Sequence, residues 1–353
     1  MPLQIASPWD LRHIAHAADS ALLPEVQSIS GVTVPWLYFG MQFGCFAWHV
    51  EDLHLCSANQ LHAGAPKSWY GVPASAAGAF ERAARKLVPT LFERDPDLLY
   101  QLVTMVAPAE LAATGVPVYA TEQHAGEIIV TFPRAYHAGF SHGFNVAEAV
   151  NVAPYDWLPH GHAAMQAAKR VRRPPVLAYE RLAWELAKRA VAAAPGEAGA
   201  KLLATHLLQP FEALVRTEVR QREAARRAGI STVDQTLRDA DLNAKARRRA
   251  AARAALAGST WAEEESESER DAEEEMCASC HVCLHLCYFS AIRCNGCASP
   301  RVQCLGHRHE ELCACPAFDK FIEQRHAKSS LEWVLSELGK LAGAGARADA
   351  DEF

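Results

Sequence analysis

Hydrophobic and polar positions alternate over short runs in the first half of the chain and recur at helical spacing in the second. From Trp36 to Glu51 the residues are aromatic and β-prone, with Tyr38, Phe39, Phe43, Phe46 and Trp48, which predicts two buried strands. Further strands alternate with turns at Gly64-Ala65-Pro66 and Gly71-Val72-Pro73. Ser75 to Leu87 carries Phe80, Ala83, Ala84 and Leu87 at helical spacing and predicts one amphipathic helix, ended by Pro89. Gly126 to Pro133 reads as a fully buried strand that leads to His137, and a last strand runs from Phe144 to Ala153. Many short strands punctuated by Gly and Pro, with one inserted helix, predict a mainly β fold, an antiparallel double-sheet jelly roll of the cupin kind.

The pattern changes near residue 165. Val176–Ala193 and Glu197–Arg227 are rich in Ala, Leu, Arg and Glu, and Leu182, Leu186, Leu203, Leu207, Phe211 and Leu214 mark apolar stripes of core-facing helices. Residues 243–276 pass from a basic Ala/Arg stretch into an acidic Ser/Glu run. That composition buries too little apolar surface to offset the entropy of ordering, so it predicts a disordered linker. Near the end, Ser329-Ser330-Leu331-Glu332 has the Ser-x-x-Glu capping pattern and opens a helix with Leu331, Val334, Leu335 and Leu338 on one face. The expected organisation is an N-terminal stretch (1–35), a β domain (36–165), a helical domain (166–242), the linker (243–276), a cysteine-rich module (277–316), and a closing helix with a frayed tail (317–353).

Charge and cysteine content narrow the classes. With 35 basic and 41 acidic residues the net charge is −6, which excludes a uniformly basic nucleic-acid binder. Basic blocks at Lys169–Arg173 and Lys245–Arg253 read as solvated flanks, nuclear localisation signals or phosphate contacts. No run of about eighteen apolar residues occurs, and the N-terminus lacks the pattern of a signal peptide, so a soluble intracellular protein with no membrane partner is expected. Of the eleven cysteines, all but Cys45 and Cys56 lie between Cys277 and Cys315, a density that reads as metal ligation. Cys45 and Cys56 are expected to be buried thiols.

Two sets of residues carry chemistry. His49-Val50-Glu51 places an imidazole and a carboxylate two residues apart, on one face if the segment is a strand. With a histidine from a separate strand, His137 being the candidate, this makes the 2-His-1-carboxylate triad that holds Fe(II) and leaves open positions for an oxidant and a co-substrate. His-x-Glu alone is often just a polar pair, and the flanking blocks decide. In the second set, Cys280-x2-Cys283, Cys294-x2-Cys297, Cys304-x2-His307 and Cys313-x-Cys315 offer eight ligands, enough for two closed, structural Zn(II) sites. Cys277, Cys287 and His309 are alternatives.

Four blocks in order carry a resemblance. Pro35-Trp36-Leu37-Tyr38-Phe39-Gly40-Met41, Phe46-Ala47-Trp48-His49-Val50-Glu51-Asp52, Pro66-Lys67-Ser68-Trp69-Tyr70-Gly71-Val72-Pro73 and Thr131-Phe132-Pro133-Arg134-Ala135-Tyr136-His137-Ala138-Gly139-Phe140 closely resemble the JmjC domain of histone lysine demethylases, nearest the JARID branch and its plant relatives. The cysteine-rich module resembles the eight-ligand zinc finger that follows the JmjC domain in that branch. The spacing departs from the family by one extra residue between Cys294 and Cys297 and one between His307 and Cys313. The resemblance implies His49, Glu51 and His137 as Fe(II) ligands, and Ser57, Asn59 and Lys67 as contacts to 2-oxoglutarate. Phe46 would pack on that co-substrate, and Tyr38 would lie beside the methylated lysine. Strict alternation places Phe46 on the face opposite His49, so its role requires a bulge. His54 and His62 match no metal position, and Ser141 stands where the family usually has asparagine.

The implied function is Fe(II)/2-oxoglutarate-dependent demethylation in the nucleus of a methylated histone H3 tail, with lysine four as the expected site. It consumes O2 and proceeds by N-methyl hydroxylation and release of formaldehyde. Chromatin complexes are the expected partners. Only about thirty-five residues precede the first matching block, so a JmjN segment and upstream jelly-roll strands are not expected in this chain. The alternatives are a JmjC protein hydroxylase and a truncated, non-catalytic chromatin scaffold.

Overall fold

A computed structural model describes residues 9–25, 28–95, 97–101, 104–194, 196–234, 277–296 and 301–343. The linker of residues 243–276, Cys297 and the tail beyond residue 343 lie outside the described residues. The chain divides into two compact units, Met1–Met165 and Gln166–Phe353.

The first unit is a jelly roll of two four-stranded antiparallel sheets. One sheet has the order β1 (Trp36–Gly40), β8 (Asn145–Val152), β3 (Cys56–Gly64), β6 (Ile128–Thr131); the other has β2 (Cys45–His49), β7 (Tyr136–Ser141), β4 (Lys67–Val72), β5 (Tyr119–Gln123). A short helix α1 (Leu11–Ile14) precedes them, its first turn capped by the Asp10 carboxylate, which accepts from the Arg12 N–H at 3.1 Å. Three helices, α2 (Ala77–Leu87), α3 (Pro89–Arg94) and α4 (Pro108–Ala113), lie between β4 and β5 in the chain. Pro89 ends α2, as expected, and also starts α3, where its fixed φ and missing N–H cost nothing.

Strand alternation sorts the second sheet into an apolar face and a polar one. Trp48, Val72, Tyr136 and Ala138 join Phe80, Phe92, Val106 and Leu111 in one buried cluster, and the Trp48 indole N–H donates to the Val106 carbonyl at 2.8 Å. The intervening residues of β2 and β7, His49 and His137, therefore face the other way, toward the first sheet. There the interior is unusually polar: Ser57, Asn59, Lys67, Gln123, Thr131, His137, Asn145 and Asn151 are all buried. Buried polar groups on this scale need partners, and a jelly roll that collects them is built around a site.

Several expectations are corrected. β1 is not buried: Trp36, Leu37, Tyr38 and Phe39 are exposed on an edge strand, because aromatic content sets β propensity and not which face is covered. β6 is not fully buried either; it forms the opposite edge, with Val130 exposed, as is Phe132 just after the strand. Of the two cysteines expected to be buried thiols, Cys45 is exposed and Cys56 is buried.

The second unit packs helices against a small β region. α5 (Leu158–Arg170) crosses the point of division, and α6 (Tyr179–Ala192), α7 (Ala198–Arg227) and α8 (Lys328–Ala342) follow. Leu182, Leu186, Leu203, Leu207, Phe211, Leu331, Val334 and Leu338 form the buried stripes read from the sequence. α8 starts one residue before Ser329, with Ala327 at its N-cap and no side-chain cap, so the Ser-x-x-Glu pattern is interior to the helix. Its C-terminal end is capped by Gly343 at φ +75°, which only glycine adopts without strain. The short strands are β9 (Ser231–Asp234), β10 (Ala278–Ser279), β11 (Leu286–Cys287), β12 (Ser290–Cys294) and β13 (Lys320–Gln324). β9 pairs in parallel with β13, which itself pairs antiparallel with β12. No helix among the described residues is long and apolar enough to cross a membrane.

Candidate functional site

Antiparallel pairing of β2 with β7 sets His49 directly opposite His137, and their rings lie 4.2 Å apart. Glu51 follows β2 in an extended conformation (φ −64°, ψ 154°), which keeps its side chain on the same side as His49 although the strand has ended. One ligand atom from each of His49, Glu51 and His137 lies within 4.8 Å of the others. Each imidazole uses its Nδ1 on a backbone carbonyl two residues earlier, His49 on Ala47 at 2.7 Å and His137 on Ala135 at 3.0 Å. That fixes the proton on Nδ1 and leaves each Nε2 with a free lone pair. Both Nε2 atoms face Glu51 Oε1, at 4.0 Å and 3.4 Å. Two neutral imidazole donors and one carboxylate converging from three directions are the donor set of a divalent first-row metal, and the residues present fit Fe(II).

The electrostatics are those of a desolvated anionic ligand set. Burial pushes Glu51 up, but the neighbouring imidazoles of His137 and His49 and a hydrogen bond from Asn151 outweigh it and keep the carboxyl ionised, at about 2. Burial lowers His49, and the adjacent His137 ring adds to the effect by disfavouring a second proton beside it. Tyr38 is raised by burial and secondarily by the Glu51 charge, so its phenol senses the triad.

Beside the triad lies a second set of groups. The expected bulge is present: the β2–β7 register shifts between Phe46 and His49, and the Phe46 ring stands edge-on to His49 at 6.4 Å and to Trp69 at 4.7 Å. Gly139 makes room for that ring, since a Cβ there would lie 2.4 Å from Phe46 Cζ and 2.2 Å from the Ser68 carbonyl. The Lys67 ammonium is 6.0 Å from the Phe46 ring centroid. Lys67 is 7% exposed, and among the described residues no carboxylate pairs with it; desolvation alone lowers its pKa. A buried cation without a counter-charge is a costly arrangement that an incoming anion would relieve. Ser57 and Asn59 occupy one face of β3; Ser57 Oγ shares a hydrogen bond of 2.6 Å with Thr131 Oγ1, and Gln123 Nε2 donates to the Asn59 carbonyl at 2.8 Å. Gln123 also accepts from the Trp69 indole at 2.9 Å, which ties β5, β4 and β3 together under the pocket.

Asn151 was missed by sequence reasoning. The only signal for it was a single amide within the apolar run Ala149-Val150-Asn151-Val152, and its partner lies 100 residues earlier. His62, set aside as a ligand, pairs with Glu148 at 2.9 Å.

In the second unit, Cys280, Cys283, Cys304 and His307 form one four-ligand cluster, and Cys294, Cys313 and Cys315 form another. His307 presents Nδ1, 3.0 Å from Cys304 Sγ and 3.9 Å from Cys280 Sγ. The clusters interleave along the chain, since Cys294 lies between the two halves of the first and Cys304 with His307 lies between the halves of the second. Cys277, Cys287 and His309 belong to neither cluster.

Comparison with known proteins places these features. A family model described as JmjC domain, hydroxylase, matches residues 36–152, and one described as C5HC2 zinc finger matches residues 280–334. The chain is 40% identical over 337 residues to the putative lysine-specific demethylase JMJ16 of Arabidopsis thaliana, covering 95% of this chain and 26% of that protein. It is 37% identical over 337 residues to lysine-specific demethylase JMJ17 of the same plant (96% and 25%) and 39% identical over 333 residues to lysine-specific demethylase JMJ703 of Oryza sativa subsp. japonica (94% and 25%). The chain thus spans about a quarter of the length of the curated relatives it matches.

Proposed function

Because this chain carries a JmjC domain of the hydroxylase class together with a C5HC2 zinc finger, we propose that it is an Fe(II)- and 2-oxoglutarate-dependent histone lysine demethylase acting in the nucleus on a methylated H3 tail, with lysine four as the site. The observation that carries the reading is the convergence of His49 Nε2, His137 Nε2 and a Glu51 oxygen within 4.8 Å, with both Nδ1 atoms already engaged.

In this reading His49, Glu51 and His137 hold the metal on one side and leave the other open. Lys67 supplies the charge for the far carboxylate of 2-oxoglutarate, Ser57 and Asn59 add hydrogen-bonding groups from β3, and Phe46 packs against its carbon chain. Tyr38, exposed on the edge strand β1, would line the approach of the methylammonium group, whose positive charge is attracted to an aromatic face. When bound, Fe(II) and 2-oxoglutarate supply the oxidising power that hydroxylates an N-methyl carbon in the presence of O2. The protein orients that carbon and excludes water, and the hydroxymethylamine then loses formaldehyde. The two cysteine clusters, with Cys297 as the eighth ligand, hold structural Zn(II). The zinc finger and the three plant relatives favour demethylation over stable hydroxylation of a protein side chain.

The test is to incubate the zinc-loaded protein with Fe(II), ascorbate, 2-oxoglutarate and methylated H3 peptides and to follow peptide mass. Successive losses of one CH2 unit, formaldehyde in equal amount, and their disappearance in His49→Ala are expected. A stable gain of one oxygen would make the chain a hydroxylase, and full turnover by His49→Ala would remove the metal assignment.

A further inference from the structure

Glu51 has two carboxylate oxygens but the two histidines face only one of them. Oε1 lies toward both Nε2 atoms, while Oε2 accepts a hydrogen bond from Asn151 Nδ2 at 3.1 Å. The same amide nitrogen donates its other N–H to the Cys56 carbonyl at 3.1 Å, at the first residue of β3. Asn151 is 6% exposed and sits on β8 opposite Ser57. Both N–H bonds of its amide are therefore used, one on the Glu51 side chain and one on the backbone just beyond the turn that follows it. A group tethered in this way cannot swing aside without leaving a buried carbonyl and a partly buried carboxylate oxygen short of a donor.

A carboxylate free to rotate offers a metal either oxygen, or both at once. Two-oxygen binding would occupy a position that a keto acid and O2 need between them. We propose that Asn151 is a positioning residue that commits Glu51 to a single donor oxygen by holding Oε2 away from the metal side. The inference rests on the reading of His49, Glu51 and His137 as Fe(II) ligands and deepens it. Outer partners of metal ligands characteristically change metal affinity by about 10–100-fold when removed.

The experiment compares wild type, Asn151→Ala and Asn151→Asp, each as the whole 353-residue chain loaded with zinc. Aspartate keeps the size of asparagine but replaces the donor with an acceptor facing Glu51. Anaerobic titration with Fe(II) in the presence of 2-oxoglutarate, read from the visible metal-to-ligand charge-transfer band, gives the affinity and the band position. Thermal melting without iron reports the fold. Both variants should bind Fe(II) about 10–100-fold more weakly and show a displaced band, with a melting transition that is lowered but still cooperative. A variant affinity and band equal to wild type would overturn the inference while leaving the metal site intact. Loss of the melting transition in both variants would also overturn it, since Asn151 would then serve the fold and not Glu51. A wild-type protein that gives no band at all would sink the metal reading itself.

Discussion

His54 shows how a single residue in this fold acquires a measurable property. It ends the short turn Asp52–His54 between β2 and β3, where Leu53 and His54 take φ of +50° and +52°, a left-handed conformation that asparagine tolerates better than most side chains. Burial first, then the positive charges of Arg134 and His160, lower its pKa to about 4, so the folded protein holds it neutral where the unfolded chain would protonate it. The stability this contributes is present above the unfolded value of about 6.5 and is lost as pH falls from there toward 4. Replacing His54 with Asn should flatten the pH dependence of unfolding between those values by about 1–3 kcal/mol, read from urea denaturation of both proteins at pH 7 and pH 5. An unchanged slope would show that His54 titrates normally. The contrast with the triad explains what single residues reveal in a sequence. His49, Glu51 and His137 were legible because their types, spacing and flanks specify chemistry. Asn151 and Gln123 were not, because an amide acquires its role from partners 100 and 64 residues away.

At the level of elements, periodicity located strands and helices better than it assigned their faces. α6, α7 and α8 fall where the apolar stripes are, since a helix buries the stripe it carries. β1 and β6 were read as buried because aromatic and β-branched runs look alike at the centre and at the edge of a sheet; only strand order distinguishes them. β9 was absorbed into a helical stretch because four residues, Ser231–Asp234, carry no period of their own and owe their strand to β13. A side chain at the start of α6 makes a sharper point. The Glu180 carboxylate accepts from His285 Nε2 at 2.9 Å, lies 3.4 Å from the Lys169 ammonium, and accepts from the Tyr288 N–H at 3.3 Å. Burial pushes this carboxyl up, but the charges of His285 and Lys169 overcome it and hold it well below the usual range. Burial lowers His285, so Glu180→Ala would strand the Lys169 ammonium without its counter-charge and leave the His285 and Tyr288 N–H groups without an acceptor, a loss of about 3–5 kcal/mol by denaturant unfolding of the zinc-loaded protein. A change below about 1 kcal/mol would mean the three groups are solvated in solution, as exposed pairs are.

For the whole chain, the jelly roll with its triad and the cysteine-rich module were both apparent from pattern and motif, but how the cysteines divide between two sites could be settled only in three dimensions. Spacing alone allows the eight ligands to be taken in sequence, four and then four. The fold instead takes Cys280 and Cys283 with Cys304 and His307, and Cys294 with Cys313 and Cys315. Each site therefore closes a loop that contains ligands of the other. The segments are also joined through the backbone, by bridges from Cys280 to Val302 and from Ile292 to Gln303, and Ile292 packs with Leu305, Leu312 and Ile322 in a small shared core. Neither site can open without displacing a segment that the other needs, so metal binding and folding of this module are one event. Titration with a chelator, followed by a zinc-sensitive dye and by circular dichroism, should release about two Zn(II) per chain in a single cooperative step. Cys283→Ser should lower the zinc content by more than one ion, because the surviving ligands Cys294, Cys313 and Cys315 lose the chain closure that holds them together. Stepwise release, or a Cys283→Ser protein that keeps one ion tightly and the same circular dichroism as wild type, would show two independent sites.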